Sequence, residues 1–323
     1  MRRILRVTAF AALALSMTVG TASAAPATSG TIRFVVGTPP GGALDPYSRI
    51  ISNRMQKELG QTIIVENKPG ANGNISASSV LHSPPDGLTV WVGTQSMTEI
   101  NPSAFEHMPW KIDDFAPLIK GVEAPMVLVT NPTVPAKNLK DLIAWIKKNK
   151  GKVNFGSFSP GTPSHFLGFQ MNEKFGLDMA HIPFRGAGPQ ITALLAGTVP
   201  LGFAQLAAAL PQIKAGKLRA IAITGSKRSR PAADVPTFAE LGYPEFTATI
   251  WFGLFVRADT PKAVRERLLK AAIAAHRDPT VRSKLQGMGF DVPLMTGPAF
   301  EKEIKEQIVR WRTLVQATGF KAN

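Results

Sequence analysis

Residues 35–47 read VVGTPPGGALDPY. An apolar run ending at Val36 passes into a loop of proline and glycine, then through Asp45-Pro46 into a helical pattern. Tyr47, Ile50, Ile51, Met55 and Leu59 recur on one helical face, and Gly60 closes it. The loop offers almost no side-chain chemistry, so whatever it holds it must hold by its backbone.

Working outward, strands and helices alternate, which argues an α/β fold. Strands are predicted at 31–36, 62–66, 88–92, 126–131, 153–155, 181–184, 199–203, 219–224 and 249–257. Helices are predicted at 45–59, 75–81, 138–149, up to Phe175, 190–196, 211–215, 261–277 and 298–317. One local pattern recurs. ALDP at 43–46, GTP at 161–163 and AGP at 187–189 each put a cap-type residue before proline. Asp45, Thr162 and Gly188 are the expected N-caps, with the prolines at the first helical position.

Three helices thus start at the carboxyl ends of strands, the edge where open α/β sheets bind ligands. A helix N-terminus exposes unpaired N–H groups and carries about half a positive charge, so carboxylates and phosphates are its natural partners. Gly41 and Gly42 let the backbone approach closely, and Pro39 and Pro40 stiffen the way in. Hydrogen bonds to a charged group contribute about 1.5–3 kcal/mol each. Three or four reach the roughly 8 kcal/mol of micromolar binding once association costs are subtracted. Any one loop could equally be a tight turn without a ligand; their recurrence in both halves favours a site. A carboxylate at Asp45 suits a helix cap better than an anion ligand. His165, in a first helical turn, reads as either a ligand donor or a cap-region residue. Arg185 reads as either a carboxylate partner or a surface arginine.

The 323 residues carry a formal charge of +15 and no cysteine. Arg2, Arg3 and Arg6, the apolar stretch 7–19 and the small-residue site Ala22-Ser23-Ala24 read as a signal peptide over 1–24, cut before Ala25. Residues 25–30 read as a polar tether. Without its three leader arginines the mature chain keeps +12. No later apolar run approaches the roughly 18–20 residues that a membrane span needs. The lack of cysteine excludes disulfides, thiolate metal sites and a lipid-modified cysteine, so a free periplasmic protein is expected. The basic run at 227–230 is short and lacks interleaved aromatics, a poor match to nucleic acid. Catalytic and cofactor motifs are missing. GSFSPG is off the G-x-S-x-G spacing, no G-K-[ST] follows the glycine loop, and the histidines at 82, 107, 165, 181 and 276 lack metal-ligand spacing.

Six stretches together resemble one family: PPGGALDPYSRII, QTIIVENKPGANGNI, NFGSFSPGTPSHFLG, IPFRGAGPQITALLAGTVPLGF, LPQIKAGKLRAIAITGSKRSRPAADVPTFAELGYP and WFGLFVRADTPKAV. The chain from about Thr31 onward is similar to the Bug family, periplasmic solute-binding proteins of tripartite tricarboxylate transporters. The resemblance implies a two-domain Venus-flytrap fold, with domain 1 at 31–127 plus 250–323 and domain 2 at 128–249. It implies a ligand carboxylate gripped by Thr38, Pro39, Pro40, Gly41, Gly42 and Ala43 and by Ser157, Phe158, Ser159, Gly161 and Thr162. Thr94, Arg185, Gly186 and Ala187 would border the same cleft. Leu44 stands where many relatives have a small hydroxyl residue, and Pro200 and Gln205 where relatives often carry aspartates. Fewer acidic side chains near the cleft favour an organic anion without an amine.

The expected function is capture of a small carboxylate by a monomer and its delivery to the membrane subunits of such a transporter, with no cofactor, metal or catalytic residue. The alternative is a periplasmic enzyme acting on a small organic acid through His165 or a cleft serine; the missing nucleophile–base constellation argues against it. The effector domain of a transcription regulator shares the two-lobed architecture, but the leader and the lack of N-terminal DNA-binding helices argue against that.

Overall fold

The computed structural model describes residues 30–322. The predicted leader and residues 25–29 of the tether lie outside the described residues. In chain order the elements are β1 (Ile32–Val36), α1 (Leu44–Leu59), β2 (Ile63–Asn67), α2 (Asn74–Leu81), β3 (Thr89–Thr94), a π-turn (Ser96–Ile100) and α3 (Asn101–Ala104). Then come β4 (Phe115–Thr130), α4 (Leu139–Lys148), β5 (Asn154–Ser157), α5 (Pro163–Phe175), β6 (Ala180–Pro183), α6 (Ala187–Ala196), β7 (Leu201–Gln205), α7 (Leu206–Lys214) and β8 (Arg219–Ile223). The chain closes with β9 (Thr249–Arg257), α8 (Lys262–Arg277), α9 (Pro279–Gly287), β10 (Met295–Thr296) and α10 (Gly297–Thr318).

The strands follow the order β2-β1-β3-β9-β4-β7-β5-β6, with β8 and β10 also on β4. β1 is parallel to β2 and β3, and β5 is parallel to β6 and β7. Helical crossovers join these parallel pairs, and each parallel set forms the heart of one lobe. β4 is the shared element. Its first part pairs antiparallel with β9 as far as Pro125↔Thr249. From Met126 onward it pairs with β7 and β8 instead. The buried Thr224 stitches this crossing: its hydroxyl accepts from Met126 N at 2.9 Å and donates to the carbonyl of Ala248.

Beside the short π-turn, α3 and β10, which the sequence reading did not include, three longer elements differ from the expectation. β4 begins at Phe115 rather than 126 because Pro117, Gly121 and Pro125 mask it. The structure absorbs them with register shifts at Pro117/Ile119 and Lys120/Val122. α7 begins at Leu206 and carries Pro211 inside it rather than at its start. α9 is an addition to the expected helices; Asp278 caps it, accepting from Thr280 N at 2.9 Å and Val281 N at 3.1 Å, with Pro279 in the first turn.

The C-terminal helix ties the lobes together. Trp311 and Val315 of α10 pack with Ile100 and Ala104 of the first lobe and Phe166 of the second. Beneath them Glu99 is fully buried, accepting from Trp251 Nε1 at 2.9 Å and Trp311 Nε1 at 3.1 Å. No described helix is long and apolar enough to cross a membrane.

Candidate functional site

The carboxyl ends of β1, β2 and β3 from one lobe and β5, β6 and β7 from the other meet at one cavity of about 580 Å³. Strand β9, which lies between β3 and β4 in the first lobe, contributes Ile250 and Phe252 to its wall. Convergence of strand ends from two parallel sheets is the geometry that open α/β folds use for ligands.

The loop after β1 brings Thr38, Pro39, Pro40, Gly42 and Ala43 to the cavity. Gly41 takes φ +93°, a left-handed value that lets the chain turn into α1; it is not among the lining residues. Its carbonyl instead lies 3.6 Å from where a Cβ on Gly188 of the other lobe would sit. The α1 N-cap is Ala43 rather than Asp45, and its amide donates to Gln205 Oε1 across the cleft at 3.4 Å. Asp45 therefore does not cap the helix. It sits inside the first turn and binds Arg49 through both carboxylate oxygens at 3.1 Å each. The reason is positional: the helix is already under way at Leu44, so the Asp45 side chain pairs along the helix with the residue four on.

In the second lobe Thr162 is the N-cap of α5 with Pro163 following, as expected; its hydroxyl donates to the Ser159 carbonyl at 2.7 Å rather than to the helix. Phe158, Ser159 and Thr162 line the cavity; Ser157, Gly161 and His165 do not. Ser157 is buried behind the loop, its hydroxyl 3.1 Å from the Ser159 carbonyl and 2.6 Å from His181 Nε2. His165 lies at the back of the same loop. Its Nδ1 accepts from Gly161 N at 3.3 Å, and its ring stacks on His181 at 4.0 Å. Burial pushes both imidazoles down to about 4, and the proximity of His165 adds to the effect on His181. The pair is neutral at pH 7 and braces the loop. The N-cap of α6 is Gly186, at φ +117°, not Gly188, which lies inside the first turn. Arg185, Gly186 and Ala187 line the cavity, as do Thr94 and Gln205.

The sequence reading did not single out the segment after β2, although Pro69 to Gly73 form one wall. There Ala71 and Asn72 adopt left-handed φ of 45° and 49° without being glycine. Such strain persists only where surroundings hold it, and it gathers at functional sites. Here Asn101 supplies the hold: it accepts from Asn72 Nδ2 at 2.7 Å and donates to the Asn72 carbonyl at 3.1 Å and to Asn74 Oδ1 at 2.9 Å. Ser159 reaches Asn72 Oδ1 from the second lobe at 3.4 Å. The Asn/Gly-rich stretch PGANGN is a turn signal that marks this segment in the sequence. Also unanticipated are Gln95, Ser96 and Met97 at the head of the π-turn, and the apolar side chains Phe184, Ile250 and Phe252. Only the folded topology brings β9 beneath the loops.

Electrostatically the cavity is one-sided. Among the described residues Arg185 is the only charged one lining it, and no aspartate or glutamate does. Three helices of ten residues or more, α1, α5 and α6, point their N-termini towards it, adding partial positive charge. Thr38 Oγ1 and Gln95 Oε1 are buried in its wall without a partner among the described residues. Among the described residues no cluster of three or more His, Cys, Asp or Glu is placed to hold a metal.

A two-lobed α/β molecule with a ligand-sized cavity at facing strand ends has the two-domain fold of the periplasmic binding proteins. The comparisons with known proteins specify the family. The family model for the tripartite tricarboxylate transporter family receptor (TctC) matches residues 47–320. A UPF0065 protein of Bordetella pertussis is 33% identical over 310 residues, 96% of each chain. Protein BugT of the same organism is 33% identical over 292 residues, 90% of each. Among solved structures, a periplasmic transporter superposes with TM-score 0.86 at 36% identity, covering 91% of this chain and 98% of that one. MatC from Rhodopseudomonas palustris with bound malate gives 0.82 at 31% identity, covering 88% and 98%. Rpa4515 of R. palustris with adipate gives 0.86 at 26% identity, covering 90% and 98%. The chain belongs to the tripartite tricarboxylate transporter receptor family, and its relatives include Bug proteins.

Proposed function

We propose that this chain captures a small carboxylate in the cleft, outside the cytoplasmic membrane, and delivers it to the membrane subunits of a tripartite tricarboxylate-type transporter. The observation that carries this reading is the one-sided cavity: three helix N-termini and Arg185 converge on it, and no acidic side chain among the described residues opposes them. Family membership and the malate and adipate held by two structural neighbours support the carboxylate. Predicted export through residues 1–24, with no cysteine to lipidate, supports a free periplasmic protein. The lobes correspond to 31–127 plus 250–323 and to 128–249, a division supported by the change of partner of β4 at Pro125/Met126.

The ligand is released unchanged. Ser157 and His181 approach each other as a nucleophile and base would, but Ser157 is wholly buried and outside the cavity. Its hydroxyl has no route to a bound acid. A thermal-shift screen over mono-, di- and tricarboxylates, aromatic acids and amino acids tests the reading. A ligand at one hundred times its Kd adds about 2.7 kcal/mol to the folded state. Stabilisation by amines or sugars alone, with every carboxylate silent, would overturn it, and product formed from a bound acid would restore the enzyme reading.

A further inference from the structure

The cavity wall combines two kinds of chemistry. Its charged and dipolar part comes from the loops: the starts of α1, α5 and α6, with Arg185 ahead of α6. The first and third of these lie together, since a Cβ on Gly186 would sit 3.9 Å from the ring of Pro39. The apolar part is built by Leu44, Met97, Ile250 and Phe252 from the first lobe and Phe158 and Phe184 from the second. Phe252 is fixed in place by Tyr47 and Phe290, with ring centroids at 5.6 and 5.4 Å.

Size and charge both bear on what fits. About 150 Å³ of apolar cavity suffices for benzene, and this cavity holds about 580 Å³. A four-carbon acid would leave much of it to water, and water orders poorly against side chains that offer no hydrogen bonds. A second or third ionised carboxylate would find no second cation among the described residues lining the cavity, only backbone N–H groups and neutral side chains. Neutral polar side chains line it as well, Asn72, Thr94, Ser159 and Gln205 among them, and these suit a hydroxyl or water rather than a charge.

We propose that the acid taken by this cleft is a monocarboxylate with an apolar, ring-bearing body: the carboxylate at the loop ends and Arg185, the ring against Phe184, Ile250 and Phe252. This deepens the carboxylate reading and rests on it. Phe184, half-buried where Ile250 and Phe252 are almost wholly buried, is then the specificity-determining residue, contacting the body rather than the charge.

Calorimetric titration of the mature chain with 3-phenylpropionate, phenylacetate, malate, adipate and citrate tests it. The expected result is an affinity for at least one aryl acid about tenfold or more above that for each polycarboxylate. Phe184→Asn, on a loop and only half-buried, should weaken the aryl acid at least about fivefold, whereas Arg185→Ala should weaken every carboxylate that binds. Malate, adipate or citrate binding as tightly as both aryl acids, or tighter, overturns the proposal while leaving carboxylate capture intact. So does a folded Phe184→Asn that binds the aryl acid normally. If none of the five acids binds and the wider screen finds no carboxylate, the functional reading itself falls.

Discussion

The amide of Ala43 points across the cleft at the side-chain oxygen of Gln205, 3.4 Å away. One partner is the N-cap of α1 and the other the last residue of β7, so a long hydrogen bond joins the lobes beside the start of α1, where an anion is expected. Gln205 takes a donor that a bound carboxylate would use. Gln205→Glu would put a fixed carboxylate there. Two like charges about 4 Å apart near a protein surface repel by roughly 4 kcal/mol, so affinity for the ligand should fall at least about tenfold and recover partly in high salt. Unchanged titrations at both salt concentrations would show that the anion binds away from this amide.

The two glycines of the first loop separate folding from binding. A Cβ on either meets nothing within 4 Å, so neither is held by packing. Gly41, at φ +93°, lies in a region that branched side chains avoid. Gly41→Val should therefore cost stability as well as affinity. Gly42 has no such φ and lines the cavity. Gly42→Val should leave the melting temperature nearly unchanged and cut affinity at least about tenfold, equivalent to about 1.4 kcal/mol. Normal binding by a folded Gly42 variant would reduce the loop to a turn.

How far the residues alone disclosed this arrangement depended on whether the signal was local. The β1-loop-α1 unit was legible because apolar period, glycine and helix closure all lie in one short stretch of chain. β4 was not: Pro117 and Pro125 argue against a strand, and only the sequence-distant partner β9 supplies the ladder that tolerates them. The Asp-Pro pattern misled at Asp45 and would have succeeded at Asp278. The two differ in where the chain first turns helical, which the dipeptide does not encode. His165 carried chemistry by residue type, but its burial against His181 depends on β6 lying beside β5. The apolar wall was invisible for the same reason, since Ile250 and Phe252 read as an ordinary buried strand.

Asp45 gives a control. Its carboxylate is tied to Arg49, whose side chain is half exposed, so the pair is solvated on one side. Surface pairs of this kind contribute about 0–1 kcal/mol. Asp45→Asn should alter unfolding free energy by no more than about that much and ligand affinity by less than about threefold. A collapse of binding in this variant alone would mean that the carboxylate touches the ligand, which would then be cationic or amine-bearing.

Glu99 makes stability depend on pH in a window of its own. Burial pushes its carboxyl from an ordinary 4.5 up to about 8, against the opposing pull of Trp251, Trp311 and Lys120, with Glu303 adding to the rise. Below about 4.5 the group is neutral in both states. Between that value and about 8 the unfolded chain gives up its proton and the folded chain keeps it, so stability falls as pH rises, and above about 8 it levels off. The buried histidines work in the opposite sense. His165, His181 and His276 are held down to about 4 from 6.5, so their effect is confined to pH below about 6.5. Denaturant unfolding between pH 7 and pH 8 therefore isolates Glu99. The free energy should fall by up to about 1.4 kcal/mol per pH unit, the slope for one proton. Glu99→Gln cannot ionise. It should unfold with no such slope, and with stability lower by about 1–3 kcal/mol because one indole N–H faces an amide group that cannot accept from it. A wild-type profile as flat as that of the variant would show that Glu99 is already charged beneath the two tryptophans.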